Sequence, residues 1–275
     1  DGPVPPKQKL YWRGPVMEQF DGTTWQPHKG RHPTPQLESM SPPVAYETTL
    51  EAHNQRWLLA LDAPVNLPAE ITRNGMLTAV SQNAINERQR FRLSASLDYR
   101  FNTSEDPVVL QRNLALPAGS NPQTRALANQ WRASNTPEGV IAKALAQFAA
   151  EFTYTLQPPL LGRHSVDDFL FQSKRGFCEH YAAAFVVLMR GAGIPARVVG
   201  GYQGGEFNPL DQYLVVRQSD AHAWTEVWLA GKGWVRVDPT AAVSPDRIET
   251  GIATALGFGE PLPMLIQLRS EWLRT

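Results

Sequence analysis

Residues 182–189 read Ala-Ala-Ala-Phe-Val-Val-Leu-Met, apolar on every side, and Gly191 and Gly193 close the run. A helix without a polar stripe has to be covered all round, so this segment predicts a helix buried beneath other structure. It is far shorter than the ~20 residues a membrane span needs. The segments beyond it are strand-like: 194–202, 212–217, 222–229 and 234–238 are rich in Val, Trp, Tyr and Thr. Gly231-Lys232-Gly233 marks a hairpin between the last two. The constraint is an α+β architecture, one buried helix against a mainly antiparallel sheet.

Upstream the grammar differs. Pro3, Pro5, Pro6, Pro15, Pro27, Pro33, Pro35, Pro42 and Pro43 argue against helices near the start. Residues 91–101 alternate Phe, Leu, Ala, Leu, Tyr and Phe with Arg92, Ser94, Ser96, Asp98 and Arg100, the clearest strand of the chain. An antiparallel β domain is expected over 1–112, with Trp12, Trp25 and Trp57 better suited to core packing than to an exposed platform. Beyond it, Asn121-Pro122 and Thr136-Pro137 each read as an N-cap followed by proline at the first helical position. Val140, Ile141, Ala144, Leu145, Phe148 and Phe152 then recur at helical spacing, and Ser165 to Asp168 reads as a further cap. A second domain is expected over 113–248, and 249–275 as a connector with an amphipathic end at 265–274. With 275 residues and 42% hydrophobic composition, the chain has material for two cores.

Basic and acidic side chains number 26 each, so no net charge draws the chain to nucleic acid or an anionic membrane. One cysteine excludes an intrachain disulfide, which suits the cytosol and a bacterial periplasm equally. The chain begins at Asp1 without a signal sequence, as expected of a processed or trimmed piece.

That one cysteine, Cys178, comes directly after Arg175-Gly176-Phe177 and opens the apolar helix. A helix N-terminus lowers a thiol pKa from ~8.5 into a range of roughly 3.5 to 7.5, which makes a nucleophile; a lone cysteine also fits a small buried hydrophobe. His222 and Asp238 flank the predicted hairpin, and their midpoint, Ala230, lies at its mouth. Antiparallel pairing then sets imidazole beside carboxylate, in a register left open, because a loop centred one or two residues later offsets them. Together the three supply a thiolate for an acyl carbon, a proton acceptor, and an acid that orients the imidazole. The backbone N–H of Cys178 and a second donor would hold the oxyanion. Glu179, His180, Tyr202 and Trp224 are candidate substrate contacts. Tyr202 lies at a Gly-rich strand end and could line the cleft; the other three have plainer roles: Glu179 complements the helix dipole, His180 points away from the thiol, and Trp224, like Trp228 and Trp234, fits the sheet core. Cys178, His180 and His222 lack paired metal-ligand spacing and no calcium loop is present, so neither metal nor cofactor is expected.

Four blocks carry a resemblance: Gly-Phe-Cys-Glu-His-Tyr-Ala at 176–182, Gly-Ile-Pro-Ala-Arg-Val-Val-Gly-Gly-Tyr at 193–202, Ala-His-Ala-Trp-Thr-Glu-Val-Trp at 221–228 and Gly-Trp-Val-Arg-Val-Asp-Pro-Thr at 233–240. They resemble the transglutaminase-like superfamily of papain-like cysteine enzymes, more narrowly the periplasmic part of its bacterial membrane-anchored members. The resemblance implies a papain-like core with Cys178 as nucleophile, His222 as base and Asp238 as orienting acid. It implies a protein-glutamine γ-glutamyltransferase of the cell envelope, forming a thioester with a protein or peptide glutamine donor and passing the acyl group to a primary amine. Membrane segments would lie outside this chain. Animal transglutaminases place tryptophan after the cysteine, where this chain has Glu179, so acceptor preference stays open. A cysteine peptidase or amidase acting on cell-wall peptides, and a non-catalytic envelope-binding module, are the alternatives.

Overall fold

The computed structural model describes residues 4–249; most of the expected connector, with its amphipathic end at 265–274, lies outside the described residues. At the centre is a seven-stranded sheet assembled from both halves of the chain. Its strands are β1 (Tyr11–Met17), β2 (Leu37–Ser39), β3 (Ala60–Leu61), β4 (Tyr99–Phe101), β5 (Ala196–Gln203), β6 (Ala221–Leu229) and β7 (Gly233–Val237), in the order β2-β4-β7-β6-β5-β1-β3. Neighbours run antiparallel except β4 and β7, where Phe101 pairs in parallel with Gly233.

The boundary expected near residue 112 marks a change from strands to helices, but hydrogen bonding crosses it. β1 pairs with β5 from Tyr11↔Gln203 to Met17↔Val198, with an irregularity between Arg13 and Val16. Gly201 permits the approach: a Cβ there would stand 2.0 Å from the Trp12 carbonyl oxygen. The strand expected at 91–101 also divides. Gln89–Ser96 pairs with Val44–Leu50 and Ala63–Asn66 in a separate three-stranded sheet, and after a bend the chain enters the large sheet as β4. Tyr213–Val215 pairs with Glu206–Asn208 in its own ribbon, not in the main sheet as expected.

The helices are α1 (Pro107–Arg112), α2 (Pro122–Ser134), α3 (Pro137–Glu151), α4 (Ser165–Asp167), α5 (Cys178–Gly191), α6 (Pro239–Val243) and α7 (Pro245–Glu249). Thr136 caps α3 as expected, its Oγ1 accepting from Gly139 N–H at 3.2 Å. The other two caps are exchanged. Asn121 is left-handed and its side chain does not cap α2; its Oδ1 accepts from Val166 and Asp167 N–H, while the Asp167 carboxylate accepts from Gln123 and Thr124 N–H. Each loop satisfies the donors of the other's helix. Helix α5 is buried almost all round, packed against α2, α3 and β6, with Phe148, Phe152 and Phe169 packed edge-to-face around Tyr181 on its first turn. Each large apolar side chain so buried contributes about 1.5–3 kcal/mol. At its other end Arg190 donates to the carbonyls of Ala196, Ala115 and Glu18 at 2.8, 2.9 and 2.7 Å. Among the described residues no helix is long and apolar enough to cross a membrane.

Under the sheet lies a buried ionic network. Glu226 on β6 accepts from Arg13 on β1 and from Arg197 on β5, Nε of the latter at 2.8 Å. Asp62, just after β3, accepts from Tyr99 at 3.0 Å and Arg236 at 2.5 Å. Burial would raise the Glu226 carboxyl, yet Arg13 and Arg197 hold it at about 2. Removing this acid leaves Arg197 without a carboxylate and Arg13 with only Asp62, 3.8 Å away. Glu226→Gln should therefore lose about 3–5 kcal/mol of stability in denaturant unfolding; a loss below about 1 kcal/mol would show that the network does not hold the two halves together.

Candidate active site

Cys178 is the first residue of α5. The chain enters that helix through Arg175–Gly176, which pairs in parallel with Thr153–Tyr154, and the Phe177 backbone is extended. Phe177 N–H donates to Nδ1 of His180 at 3.4 Å, and the His180 ring packs on Phe169 and Phe177 with centroids 5.7 and 4.5 Å away. The thiol itself lies against the backbone N–H of Ala223, the residue after His222.

The hairpin decides how His222 meets Asp238. Leu229 pairs with Gly233 and Thr225 with Val237, so the turn centres on Gly231, whose φ is +75°. Extended by one residue, this register sets Asp238 opposite Trp224, two positions from His222. The direct opposition with midpoint Ala230 is thus not realised, and no bulge restores it. Instead the offset is even, so both side chains share a face and meet diagonally. The strand stops at Val237, and Asp238 becomes the N-cap of α6, its Oδ1 accepting from Thr240 N–H at 3.0 Å. Its Oδ2 is left for Nε2 of His222, at 2.7 Å.

A third group enters from the first half of the chain. Tyr11 on β1 donates its hydroxyl to the same Oδ2 at 2.8 Å, and Arg236 lies over the Tyr11 ring, 4.1 Å from its centroid. Burial would raise the Asp238 carboxyl; the His222 charge and hydrogen bond, with Tyr11 and the Thr240 N–H, hold it below the usual carboxylate range. An ionised carboxylate only accepts, so Nε2 of His222 is the donor in this pair and Nδ1 faces the other way. That Nδ1 is buried and has no hydrogen-bond partner.

The thiol departs from the sequence-based expectation. Burial pushes Cys178 up to about 12, Glu179 adds to the rise, and Arg247 and the Ala223 N–H oppose it. Desolvation of the anion outweighs the helix terminus. Sulfur therefore rests as a thiol.

The remaining candidates occupy plainer positions. Trp224 is fully buried, with Tyr11 edge-on at 5.1 Å and the His222 ring parallel at 6.4 Å, so it backs the histidine. Tyr202 is buried and donates to Gln218 Oε1 at 2.8 Å. Glu179 is exposed on the first turn of α5. Trp228 and Trp234 donate to Asn102 O and Glu105 Oε2, within the sheet core. Among the described residues no group of three His, Cys, Asp or Glu side chains is arranged to hold a metal ion. Tyr11, Tyr154 and Arg247 had no motif to announce them. Burial pushes the Tyr154 phenol above the ordinary range, the Cys178 charge adding and the Arg247 charge opposing.

Comparison with known proteins yields two family matches, the transglutaminase-like superfamily over residues 125–239 and the TgpA N-terminal domain over residues 1–102. A protein-glutamine gamma-glutamyltransferase of Pseudomonas aeruginosa is 41% identical over 260 residues, 93% of this chain and 39% of that protein. The uncharacterized protein YebA of Bacillus subtilis is 34% identical over 146 residues, 50% of this chain and 20% of that protein. The chain thus spans well under half of the curated relatives it matches. The crystal structure of the periplasmic domain of TgpA from Pseudomonas aeruginosa superposes with a TM-score of 0.90 at 41% identity, covering 93% of this chain and 90% of that one. The same domain bound to ethylmercury gives 0.88, with 90% of each chain covered.

The first turn of α5 makes a pH prediction. Burial lowers His180 to about 4, against about 6.5 in an unfolded chain. The unfolded state then binds more protons, so this stability is complete above about pH 6.5 and is lost as pH falls towards 4. Wild type should lose more stability over that window than His180→Gln in parallel denaturant titrations; superimposable pH profiles would contradict the assignment.

Proposed function

The chain belongs to the transglutaminase-like superfamily, and from that membership and the site geometry we propose that it is a thiol-dependent acyltransferase, a protein-glutamine γ-glutamyltransferase acting in the bacterial periplasm. The observation that carries the reading is the His222–Asp238 pair at 2.7 Å with Nδ1 buried and unpartnered beside the helix that begins at Cys178. The compartment is inferred from solved relatives that match the chain nearly end to end and are periplasmic domains.

In the proposed cycle the Cys178 S–H bond breaks, His222 Nδ1 takes the proton, and sulfur attacks the carboxamide carbon of a glutamine side chain. The imidazolium, held by Asp238 and Tyr11, returns the proton to the departing nitrogen, and ammonia leaves behind a thioester. A primary amine such as a lysine side chain then attacks, His222 again carrying the proton, and an isopeptide bond forms as the thiol is regenerated. The backbone N–H of Cys178 is one oxyanion donor in this scheme. Exclusion of water from the buried thiol favours an amine over hydrolysis. Glutamine-bearing proteins or peptides and primary amines are the proposed partners.

Incorporation of a labelled primary amine into a glutamine-rich protein, without added calcium, should occur with the wild type and be abolished in Cys178→Ala while the fold is retained. Full activity in that variant would overturn the assignment, and free acid as product despite abundant amine would replace transfer by hydrolysis. Tyr11→Phe should fold and lower kcat roughly tenfold with little change in KM, because it loosens Asp238 and touches no substrate; about 1.4 kcal/mol is a modest share of a charge-assisted hydrogen bond.

A further inference from the structure

Arg247 is a fully buried guanidinium at the reactive end of the sheet, and no ion pair among the described residues includes it. It belongs to α7, which is clamped onto that end by side chain and backbone. Nη2 of Arg247 donates to the carbonyl of Ala221, one residue before His222, at 3.1 Å, and Gln203 donates to the carbonyl of Ile248 at 3.2 Å. The Tyr154 hydroxyl interacts with the guanidinium as a neutral neighbour, but Nε and Nη1 of Arg247 are buried without a partner in ordinary hydrogen-bond geometry, and among the described residues no carboxylate meets the charge. An unpaired buried cation is among the most costly groups a fold can hold, and unsatisfied donors add about 1–3 kcal/mol apiece. Such a group calls for a charge that the resting structure does not display.

The reactive centre creates one such charge. When the Cys178 proton passes to Nδ1 of His222, the S–H bond breaks, an N–H bond forms, and an imidazolium and a thiolate stand where two neutral groups stood. Asp238, held by Tyr11, meets the imidazolium. On the sulfur side Glu179 opposes the new charge, and Arg247 and the Ala223 N–H favour it. We propose that Arg247 is the cationic partner of the negative charge formed at Cys178, its unpaired Nε and Nη1 stabilising first the thiolate and then the oxygen anion of the tetrahedral adduct. The carboxylate and the guanidinium thus bracket the Cys–His pair, so moving one proton from sulfur to nitrogen places each new charge beside its opposite. α7 is in this view part of the reactive centre. The inference rests on Cys178 as the nucleophile, but not on the identity of the acyl donor or acceptor.

Because Cys178 is the one cysteine of the chain, its reactivity can be tracked without interference. The experiment measures second-order alkylation by iodoacetamide from pH 6 to 10 in wild type, Arg247→Met and Arg247→Lys, with Cys178→Ala as blank and circular dichroism and thermal melting as fold controls. Methionine removes the buried charge and fills its volume, so this variant is expected to melt no lower than wild type. Its alkylation should be slower by about tenfold or more across the range, one unit in thiol pKa being a factor of ten. Arg247→Lys keeps the charge and should stay within about threefold of wild type. Should Arg247→Met fold poorly, a lysine variant slowed as strongly as methionine would show that charge is not what matters. Arg247→Met reacting as fast as wild type or faster at every pH would overturn the proposal. Alkylation needs no acyl donor, so slow alkylation of Arg247→Met in a protein that incorporates no amine would retain this inference and discard transfer.

Discussion

The pairing of β1 with β5 is the constraint on which the rest depends. It joins a strand near the start of the chain to one nearly two hundred residues later, and it carries Tyr11 to Asp238 and Arg13 to Glu226. Because side chains alternate faces along a strand, a slip of one residue would turn both to the wrong side. A misregistered ladder would then bury Arg13 without Glu226 and leave that acid with Arg197 alone, at a cost of several kcal/mol for the uncompensated ion. The ionic network adds little to stability over an apolar core of equal volume, but it penalises every register except one. The same register places the phenol that holds the aspartate, so the architecture of the first half and the geometry of the site are set by one ladder.

Two physical effects compete at Cys178, and their sizes decide the outcome. A helix N-terminus favours an anion by about 0.3–1 kcal/mol, or ~2 kcal/mol in partly buried settings. Stripping water from an ionised group costs several kcal/mol. Burial therefore wins, and sulfur rests as a thiol. Protection of the sulfur and its activation are separate problems here. The first is handled by the closed environment; the second, in the proposed cycle, needs a base oriented towards it, and Asp238 accepts from Nε2 of His222.

Much of the site was legible because its signals are local. The apolar run at 182–189, the glycines around Lys232 and the proline after Thr136 each dictate a conformation within a few residues, and the structure has helix, hairpin and cap at those places. The His222–Asp238 contact was legible only as proximity. Its register depended on whether the turn centred on Ala230 or Gly231, a difference no composition reports, and the carboxylate reached the imidazole only because the strand ended and α6 began at that point. The cap exchange between Asn121 and Asp167 escaped for a related reason: each residue has the right chemistry for its own helix, and packing chose the neighbour's.

The sequence by itself determined the main elements and the α+β class, and marked out Cys178, His222 and Asp238 as candidates, since backbone preference and hydrophobic periodicity act over a few residues. Tertiary structure decided that strands from the first half complete the second half's sheet, that Trp224 stands behind His222, and that the thiol is driven towards neutrality. It also brought Tyr11 to Asp238, 227 residues away, and Arg247 to the carbonyl before His222. Those outcomes depend on burial and on charges meeting across space. Both are properties of the assembled fold, because the free energy of an ionised group is set by what surrounds it and not by its neighbours along the chain.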